Sequence, residues 1–332
     1  MNQTTEVAAV TGENIRKSSA LGTFLKRLFK EKPLGTMGGI LVLILLLAGI
    51  FADVIAPYEY ADVHPVDRLL PPSSTYILGT DGAGRDMFSR IVYGARISMI
   101  VGLSATALYT VVSTAIGLIS GYIGGKFDII LQRFVDAWLC FPGMVIYLIV
   151  MNLIGAGMLQ IILVLGIGSG IGGSRGARAW AFWIKEIAYM DAARALGAST
   201  LRIVLRHMLP NVLPMVIVSF SMAIGGIILA EASLSFLGFG IPPPYPSWGQ
   251  MISGQSRAIM ERAPWVPLWP GVAITLTIWG MNMFGDAVRD LIDPRLRGGI
   301  GGLGSYGSKK VAKVLKKRDA MITKTRRRTE RG

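Results

Sequence analysis

The sequence predicts an all-α integral membrane protein with six transmembrane helices, and three observations carry this prediction. Hydrophobic residues make up 52% of the 332-residue chain and charged residues only 16%, whereas soluble domains carry about 25% charged residues. Several runs with few or no charges approach the roughly 20 residues that a helix needs to cross a bilayer. The charged residues concentrate between those runs and in the two terminal segments.

The elements follow from the apolar runs in chain order. Residues 1–33 form a polar, basic segment, in which residues 24–30 suit a helix at the membrane interface. Spans are expected near residues 34–56, 97–123, 135–153, 159–173, 210–237 and 268–292. Phe141 and Pro142 lie where the third span is interrupted, and are therefore pore or gate candidates, because broken membrane helices face protein or a cavity. Residues 34–297 form the membrane domain, and residues 298–332 a basic tail.

Glycine is frequent in two of the predicted spans. Gly117 and Gly121 lie in the second span, and Gly124 and Gly125 directly follow it. The fourth span contains the glycine-rich run 166–170. Glycine lets membrane helices approach each other closely, so these positions predict tight helix packing, with a bend after the second span.

The distribution of charge predicts how the chain is oriented. Residues 1–36, 174–210 and 309–331 carry net charges of +3, +4 and +9, whereas residues 52–96 carry −2. Six spans place the three basic segments on one side and the acidic segment on the other. Cytoplasmic segments are enriched in Lys and Arg, so both termini are expected to be cytoplasmic. The same distribution explains the total charge of +14 without a nucleic-acid partner.

The sequence offers little to an enzyme. It contains two histidines, His64 and His207, and one cysteine, Cys140, so no Cys/His cluster is available to bind a metal. A GxxxxGK[ST] phosphate-binding loop is also absent, and the chain is therefore not expected to bind or hydrolyse ATP itself.

The segment at residues 186–210 predicts a compact helix–bend–helix between two spans. Small alanines surround Asp191, Arg194 and Gly197, which gives the run Asp191-Ala192-Ala193-Arg194-Ala195-Leu196-Gly197. Gly197 favours a bend, and a second helix is expected over residues 199–208 that stops at Leu209-Pro210. Small side chains permit close packing, so this segment is expected to be held by a partner protein.

A second candidate surface precedes the second span. Asp81 opens a turn, Arg85 and Asp86 follow it, and Arg96 lies ten residues after Asp86. Two interpretations stay open: a capped helix that leads into the span, or a contact surface at the mouth of a pore. The rigid, aromatic segment 241–250, which includes Trp248, is expected in the same external region.

Glu231 is the only charged residue between Pro210 and Arg257. An acid within a membrane span is a functional candidate. The alternative is an acid at the end of the helix, at the membrane interface beside Ser233 and Ser235.

These motifs together resemble the inner-membrane permease subunits of ATP-binding-cassette (ABC) importers for di- and oligopeptides, a group that also contains nickel and glutathione permeases. Asp191-Ala192-Ala193, Gly197 and Leu209-Pro210 are similar to that family's Glu-Ala-Ala…Gly…Leu-Pro signature, with Asp in place of Glu. The resemblance covers roughly residues 25–297, and the remaining motifs occur in the family's order: 78–86, 94–98, 141–142, 231–240, 247–249 and 290–295.

The resemblance implies the ABC type I importer permease fold and a set of partners. These are a second permease, two ATPase subunits that bind ATP and Mg²⁺, an extracytoplasmic substrate-binding protein and the cytoplasmic membrane. Residues 186–210 would form the loop that couples to an ATPase, with Arg194 and Arg202 as candidates to pair with its acids. Dipeptides, oligopeptides, glutathione and nickel chelates stay open as substrates.

Two other classes of transport protein fit the sequence less well. A secondary transporter usually shows several intramembrane acids and internal repeats, and only Asp136, Glu231 and Asp286 are available here, without a repeat. A channel needs a selectivity segment, and none is evident.

Overall fold

The computed structural model describes residues 20–253 and 259–292, and this part of the chain is helical apart from turns and one isolated antiparallel bridge between Thr80 and Asp86. The helix expected over residues 24–30 forms within α1, and its position at the membrane interface stays a prediction. The basic tail lies outside the described residues. The helices are α1 (Ala20–Glu31), α2 (Pro33–Ile50), α3 (Ala52–Ile55), α4 (Met87–Ile123), α5 (Gly125–Leu139), α6 (Gly143–Ile154), α7 (Met158–Lys185), α8 (Ala188–Ala195), α9 (Thr200–Arg202), α10 (Leu209–Phe236), α11 (Trp248–Ile252) and α12 (Trp265–Ile292).

Four helical segments of the described chain are long and apolar enough to cross a membrane: α2, α4, α7 and the continuous helix Thr200–Phe236. A fifth is available if α5 and α6, which meet at 86°, count as one broken span. The predicted sixth span lies in α12, which has 28 residues but is not among these segments. Its last eleven residues include Asn282 and three charged residues, which lowers its apolar character.

Two of the spans are longer than their apolar runs predict. Helix α4 begins at Met87 instead of near residue 97, and α7 continues to Lys185 instead of ending near residue 173. The added turns of α7 carry arginines whose charges are met within the fold. For example, Arg178 on α7 donates to Asp128 on α5 over 2.7 Å.

Helices α4 and α7 pack tightly along their length, because glycines remove the side chains between them. A β-carbon at Gly117 would lie 2.5 Å from the β-carbon of Ala177, and one at Gly121 would lie 2.6 Å from that of Ala181. On α7, a β-carbon at Gly170 would meet Val112 at 2.8 Å. The predicted close packing of both glycine runs is therefore confirmed. Gly124 and Gly125 turn the chain, with φ of +66° and +55°.

The break between α5 and α6 lies at the predicted interruption. Pro142 precedes the first turn of α6, and Phe141 beside it is exposed. Trp138 fixes the end of α5 by donating from Nε1 to the carbonyl of Gly168 over 3.0 Å, and Asp136 pairs with Arg175 on the same helix α7. The broken pair is thus attached to α7 on one side, while Phe141 stays on the surface.

Candidate coupling loop and translocation surface

The segment between α7 and α10 forms the predicted helix–bend–helix. Helix α8 ends at Ala195, and Gly197 follows with φ of +77°. The N–H of Gly197 donates to the carbonyl of Arg194 (2.9 Å), and the N–H of Ala198 donates to that of Ala193 (3.1 Å). This pair of bonds is a Schellman motif, which needs a residue in the left-handed conformation and favours glycine there. The bend at Gly197 is therefore fixed by hydrogen bonds.

One face of this segment is anchored in the bundle. Met190 and Ala193 of α8 join a buried cluster with residues of α4, α7 and the start of the next helix: Leu118, Ala181, Ile184, Ile203, Val204, Met208 and Val212. Asp191, Ala192 and Ala195 point away and are exposed. Leu196 is 88% exposed and Leu201 65% exposed. The fold therefore presents a small apolar tip on a firmly seated base.

Arg194 makes its contacts within the chain. It donates to Asp191 over 2.8 Å, and its guanidinium lies 5.4 Å from the ring centroid of Tyr122 at the end of α4. These contacts tie α8 to α4. Of the two arginines expected to meet acids on an ATPase, Arg194 thus has an internal role, and Arg202 is exposed.

The expected stop at Pro210 is wrong. Helix runs without interruption from Thr200 to Phe236, through Leu209 and Pro210. The six residues before Leu209, Ile203–Met208, are π-helical. Proline removes one N–H donor and collides with the preceding turn of an α-helix, and a widened π-turn is one of the ways a helix accommodates such a break. The second helix of the segment 186–210 is consequently continuous with the membrane helix α10.

At the opposite end of α4, the residues predicted to form a capped helix do so. Asp81 accepts from the N–H groups of Ala83 (2.8 Å) and Arg85 (3.0 Å) and pairs with the Arg85 side chain (2.8 Å). Asp86 caps α4 by accepting from the N–H of Ser89 over 2.7 Å. The capped-helix interpretation is thus confirmed, and the contact-surface interpretation remains a separate proposal.

Arg96 and Trp248 join this region to the rest of the bundle. Arg96 donates to the carbonyls of Gly49 (2.7 Å) and Ile50 (3.1 Å) at the end of α2, and it pairs with Asp53. Trp248 is buried against the bare backbone of Gly94, and its Nε1 donates to the carbonyl of Ile91 over 3.0 Å. Both residues hold elements together.

Glu231 is 1% exposed and lies in the last two turns of α10. The acid is buried within the bundle, and its place relative to the membrane interface stays a prediction. Its Oε1 accepts from Ser235 over 2.7 Å, while its Oε2 is buried with no hydrogen-bond partner in the described residues. An unsatisfied buried acceptor destabilises the conformation that contains it. Glu231 is therefore a candidate for a group whose contacts differ between two conformations.

A cavity of about 570 Å³ lies among α4, α7, α10 and α12. Its wall combines aromatic, thioether and hydroxyl groups with one cation: Tyr109, Trp180, Met215, Ser219, Met222 and Arg289. Tyr109 and Ser219 approach each other at 3.4 Å across it. The sequence carried no motif for this cavity, because its residues come from distant helices and are individually ordinary.

A helical membrane bundle with an exposed helix–bend–helix at one end and a folded polar loop at the other is typical of a subunit of a membrane transport system. Residues 113–298 match the family "Binding-protein-dependent transport system inner membrane component", and residues 21–72 match "N-terminal TM domain of oligopeptide transport permease C". The chain belongs to this family of binding-protein-dependent permeases, and the resemblance predicted from the motifs is confirmed.

Curated relatives agree over most of the chain. A glutathione transport system permease protein GsiD from Pectobacterium atrosepticum is 37% identical over 82% of this chain and 90% of the relative. A dipeptide transport system permease protein DppC from Alkalihalophilus pseudofirmus is 37% identical over 81% and 88%. A putative peptide transport system permease protein from Brucella suis is 36% identical over 88% and 99%.

A solved structure supports the predicted fold. One chain of the MetNI methionine ABC transporter, from inward-facing conformations, matches with a TM-score of 0.50 at 18% identity. The match covers 62% of this chain and 97% of the MetNI chain. The type I permease fold is thus supported at the level of the shared helical core.

Proposed function

We propose that this chain is a permease subunit of an ATP-driven importer of di- and oligopeptides in the cytoplasmic membrane. It forms the translocation path with a second permease, receives substrate from an extracytoplasmic binding protein, and uses ATP hydrolysed on two partner ATPase chains. The names of the dipeptide and peptide relatives support the substrate class. The charge distribution supports cytoplasmic termini. Residues 34–297 form the membrane domain, between the N-terminal segment 1–33 and the tail 298–332.

The observation that carries the proposal is the exposed apolar tip formed by Leu196, just after α8, and Leu201 on α9. Leu196 and Leu201 present apolar surface to solvent, while Met190 and Ala193 beneath them are buried in the bundle. Because the base of the tip is packed into the bundle, a displacement of a protein bound to the tip is transmitted to the membrane helices. Binding of ATP stabilises the closed ATPase pair, and the permease conformation that fits this pair becomes favoured by the difference in binding free energy.

The exchange of Leu196 for serine tests the coupling role. Burial of a leucine side chain contributes about 1.5–3 kcal/mol, so Leu196→Ser is expected to weaken ATPase attachment by roughly tenfold or more. The affinity of the purified permease pair for the ATPase subunits is measured in nanodiscs, together with ATP-dependent peptide uptake into proteoliposomes. Both should fall.

Val66→Ser provides the matched control, since Val66 is 94% exposed in the loop at the opposite end of the bundle. It removes a comparable apolar side chain but should leave ATPase affinity unchanged. If Leu196→Ser binds the ATPase and supports uptake like the unaltered chain, the coupling assignment is wrong.

Glutathione is a second candidate substrate, because relatives named as glutathione permeases match as well as the dipeptide relative. Both are short peptides with carboxylates. The cavity beside Tyr109 and Arg289 combines apolar surface with a cation and suits either molecule. Uptake of radiolabelled dipeptide in competition with glutathione, with the cognate binding protein present, decides between them.

A further inference from the structure

A small cavity of about 210 Å³ lies at the α11 end of the bundle, far from the coupling segment. It is walled by the turn before α4, the first turn of α4 and helix α11. The residues that carry the argument are Asp81, Arg85, Met87, Arg90, Gln250 and Met251. This set is called the basic pocket below.

The basic pocket contains one buried cation more than it can neutralise. Arg90 is 5% exposed, and its Nη1 donates to the carbonyl of Tyr60 over 3.1 Å. Its Nε is buried, and in the described part of the chain nothing accepts a hydrogen bond from it. The nearest carboxylate oxygen, Oδ2 of Asp81, is 3.6 Å away. A buried guanidinium whose Nε lacks a hydrogen-bond acceptor destabilises the fold, and a ligand that supplies an acceptor removes this cost.

Asp81 is already engaged by other groups. Its Oδ1 accepts from two backbone N–H groups, and its Oδ2 accepts from Nε of Arg85 over 2.8 Å. The pocket therefore holds two guanidinium groups and one carboxylate. Asp86, the next acid along the chain, directs its carboxylate to Ser89 at the start of α4.

We infer that the basic pocket binds the C-terminal carboxylate of a peptide on its way to the translocation path. Guanidinium groups form strong charge-assisted hydrogen bonds with carboxylates, and the amide of Gln250 adds a neutral donor. Met87 and Met251 supply the apolar side of the same cavity. Methionine adapts to differing shapes, which suits a terminal residue of variable side chain.

The size of the basic pocket agrees with this ligand. Water occupies about 30 Å³ per molecule in the liquid, so the 210 Å³ of this cavity corresponds to about seven water molecules. This is roughly the volume of one amino-acid residue. It thus takes the end of a peptide and leaves the remainder outside. The inference rests on the proposed function, because it takes the transported peptide as the ligand.

Calorimetry on the complete importer in nanodiscs, without the binding protein, tests the pocket with Ala-Ala as the free acid and as the C-terminal amide. The acid should bind saturably, and the amide at least tenfold more weakly. Arg90→Gln should weaken binding of the acid at least tenfold and abolish its advantage over the amide. Arg133→Gln, on the exposed side of α5 and outside both cavities, is the matched control and should leave acid binding unchanged.

Gln250→Glu keeps the test decisive if Arg90→Gln fails to fold. The new carboxylate lies inside the basic pocket and offers an acceptor to Arg90, whose Nε has none, so it should abolish binding of the acid and raise Tm by about 2 °C or more. A merely structural arginine predicts no loss of acid binding. Intact acid binding in this variant, or equal binding of acid and amide by the unaltered importer, overturns the inference.

Two further results separate the possible failures. If the free acid does not bind but Arg90→Gln weakens attachment of the binding protein, the pocket takes a protein side chain and the inference is wrong. If proteoliposomes import peptides without acid-selective binding, only the basic pocket is refuted. If no peptide is imported at all, the proposed function fails as well.

Discussion

Gly117 gives the sharpest test of how the bundle is packed. A β-carbon there would lie 2.5 Å from both the β-carbon of Ala177 and the carbonyl oxygen of Ser174, and 2.6 Å from the backbone nitrogen of Arg178. Two of these atoms belong to the backbone and cannot rotate away, so α4 and α7 must separate. Overpacking costs about 1–3 kcal/mol, against about 1 kcal/mol gained from the helix propensity of alanine. Because two of the contacting atoms belong to the backbone, the cost should lie in the upper part of this range, at about 2–3 kcal/mol. Gly117→Ala is therefore expected to destabilise the chain by roughly 1–2 kcal/mol.

Gly176 is the matched control on α7. A β-carbon there would meet nothing within 4 Å, so Gly176→Ala should stabilise the helix by about 0.5–1 kcal/mol. Thermal unfolding of both variants, followed by tryptophan fluorescence in one detergent, should lower Tm for Gly117→Ala by about 2–6 °C and raise it for Gly176→Ala. If the two variants shift Tm in the same direction by similar amounts, the close contact between α4 and α7 is refuted.

Two further predictions concern single polar groups. Glu231→Gln removes the buried charge whose Oε2 lacks a partner, so it should stabilise this conformation and slow peptide uptake severalfold; unchanged uptake in proteoliposomes would refute a role in gating. The hydrogen bond from Tyr76 to Asp67 raises the pKa of Tyr76 from 10 to about 12. Its stabilisation is therefore complete below pH 10 and is lost as the pH rises towards 12, and Tyr76→Phe should flatten the unfolding free energy measured over that range.

The extent of the helices could be predicted only where apolar side chains mark them. The sequence placed the start of the second span near residue 97, because the apolar run begins only after Arg96. In the structure, Arg96 meets the carbonyls at the end of α2, and Arg90 lies in a polar cavity. Such acceptors come from segments distant in sequence, so local patterns do not reveal them. The same reason applies to Arg178 on α7, whose acceptor is Asp128.

The helix and bend at residues 188–197 were predicted well because their geometry is local. A glycine in the left-handed conformation after a short helix defines the bend, and Gly197 fulfils this requirement. The continuation of helix through Pro210 was not predictable, since it depends on the π-turn before Leu209. Nor was the internal role of Arg194, because Tyr122 is 72 residues away along the chain.

The large cavity among α4, α7, α10 and α12 was not predictable from the sequence. Tyr109, Met215 and Arg289 are ordinary residues of three helices, and only the packing of those helices brings them to one surface. The basic pocket differs in part, since Asp81 and Arg85 belong to a motif that the sequence singled out. Its buried cation, Arg90, was not among the candidate site residues.

The uninterrupted helix from Thr200 to Phe236 has a mechanical consequence. Its 37 residues make a stiff rod about 55 Å long, with Leu201 near one end and Glu231 near the other. A tilt of about 10° in such a rod displaces its far end by about 10 Å. A displacement of the apolar tip can therefore reach the surroundings of Glu231 through the helix backbone alone, without a chain of side-chain contacts. The π-turn at Ile203–Met208 is where this helix would bend first.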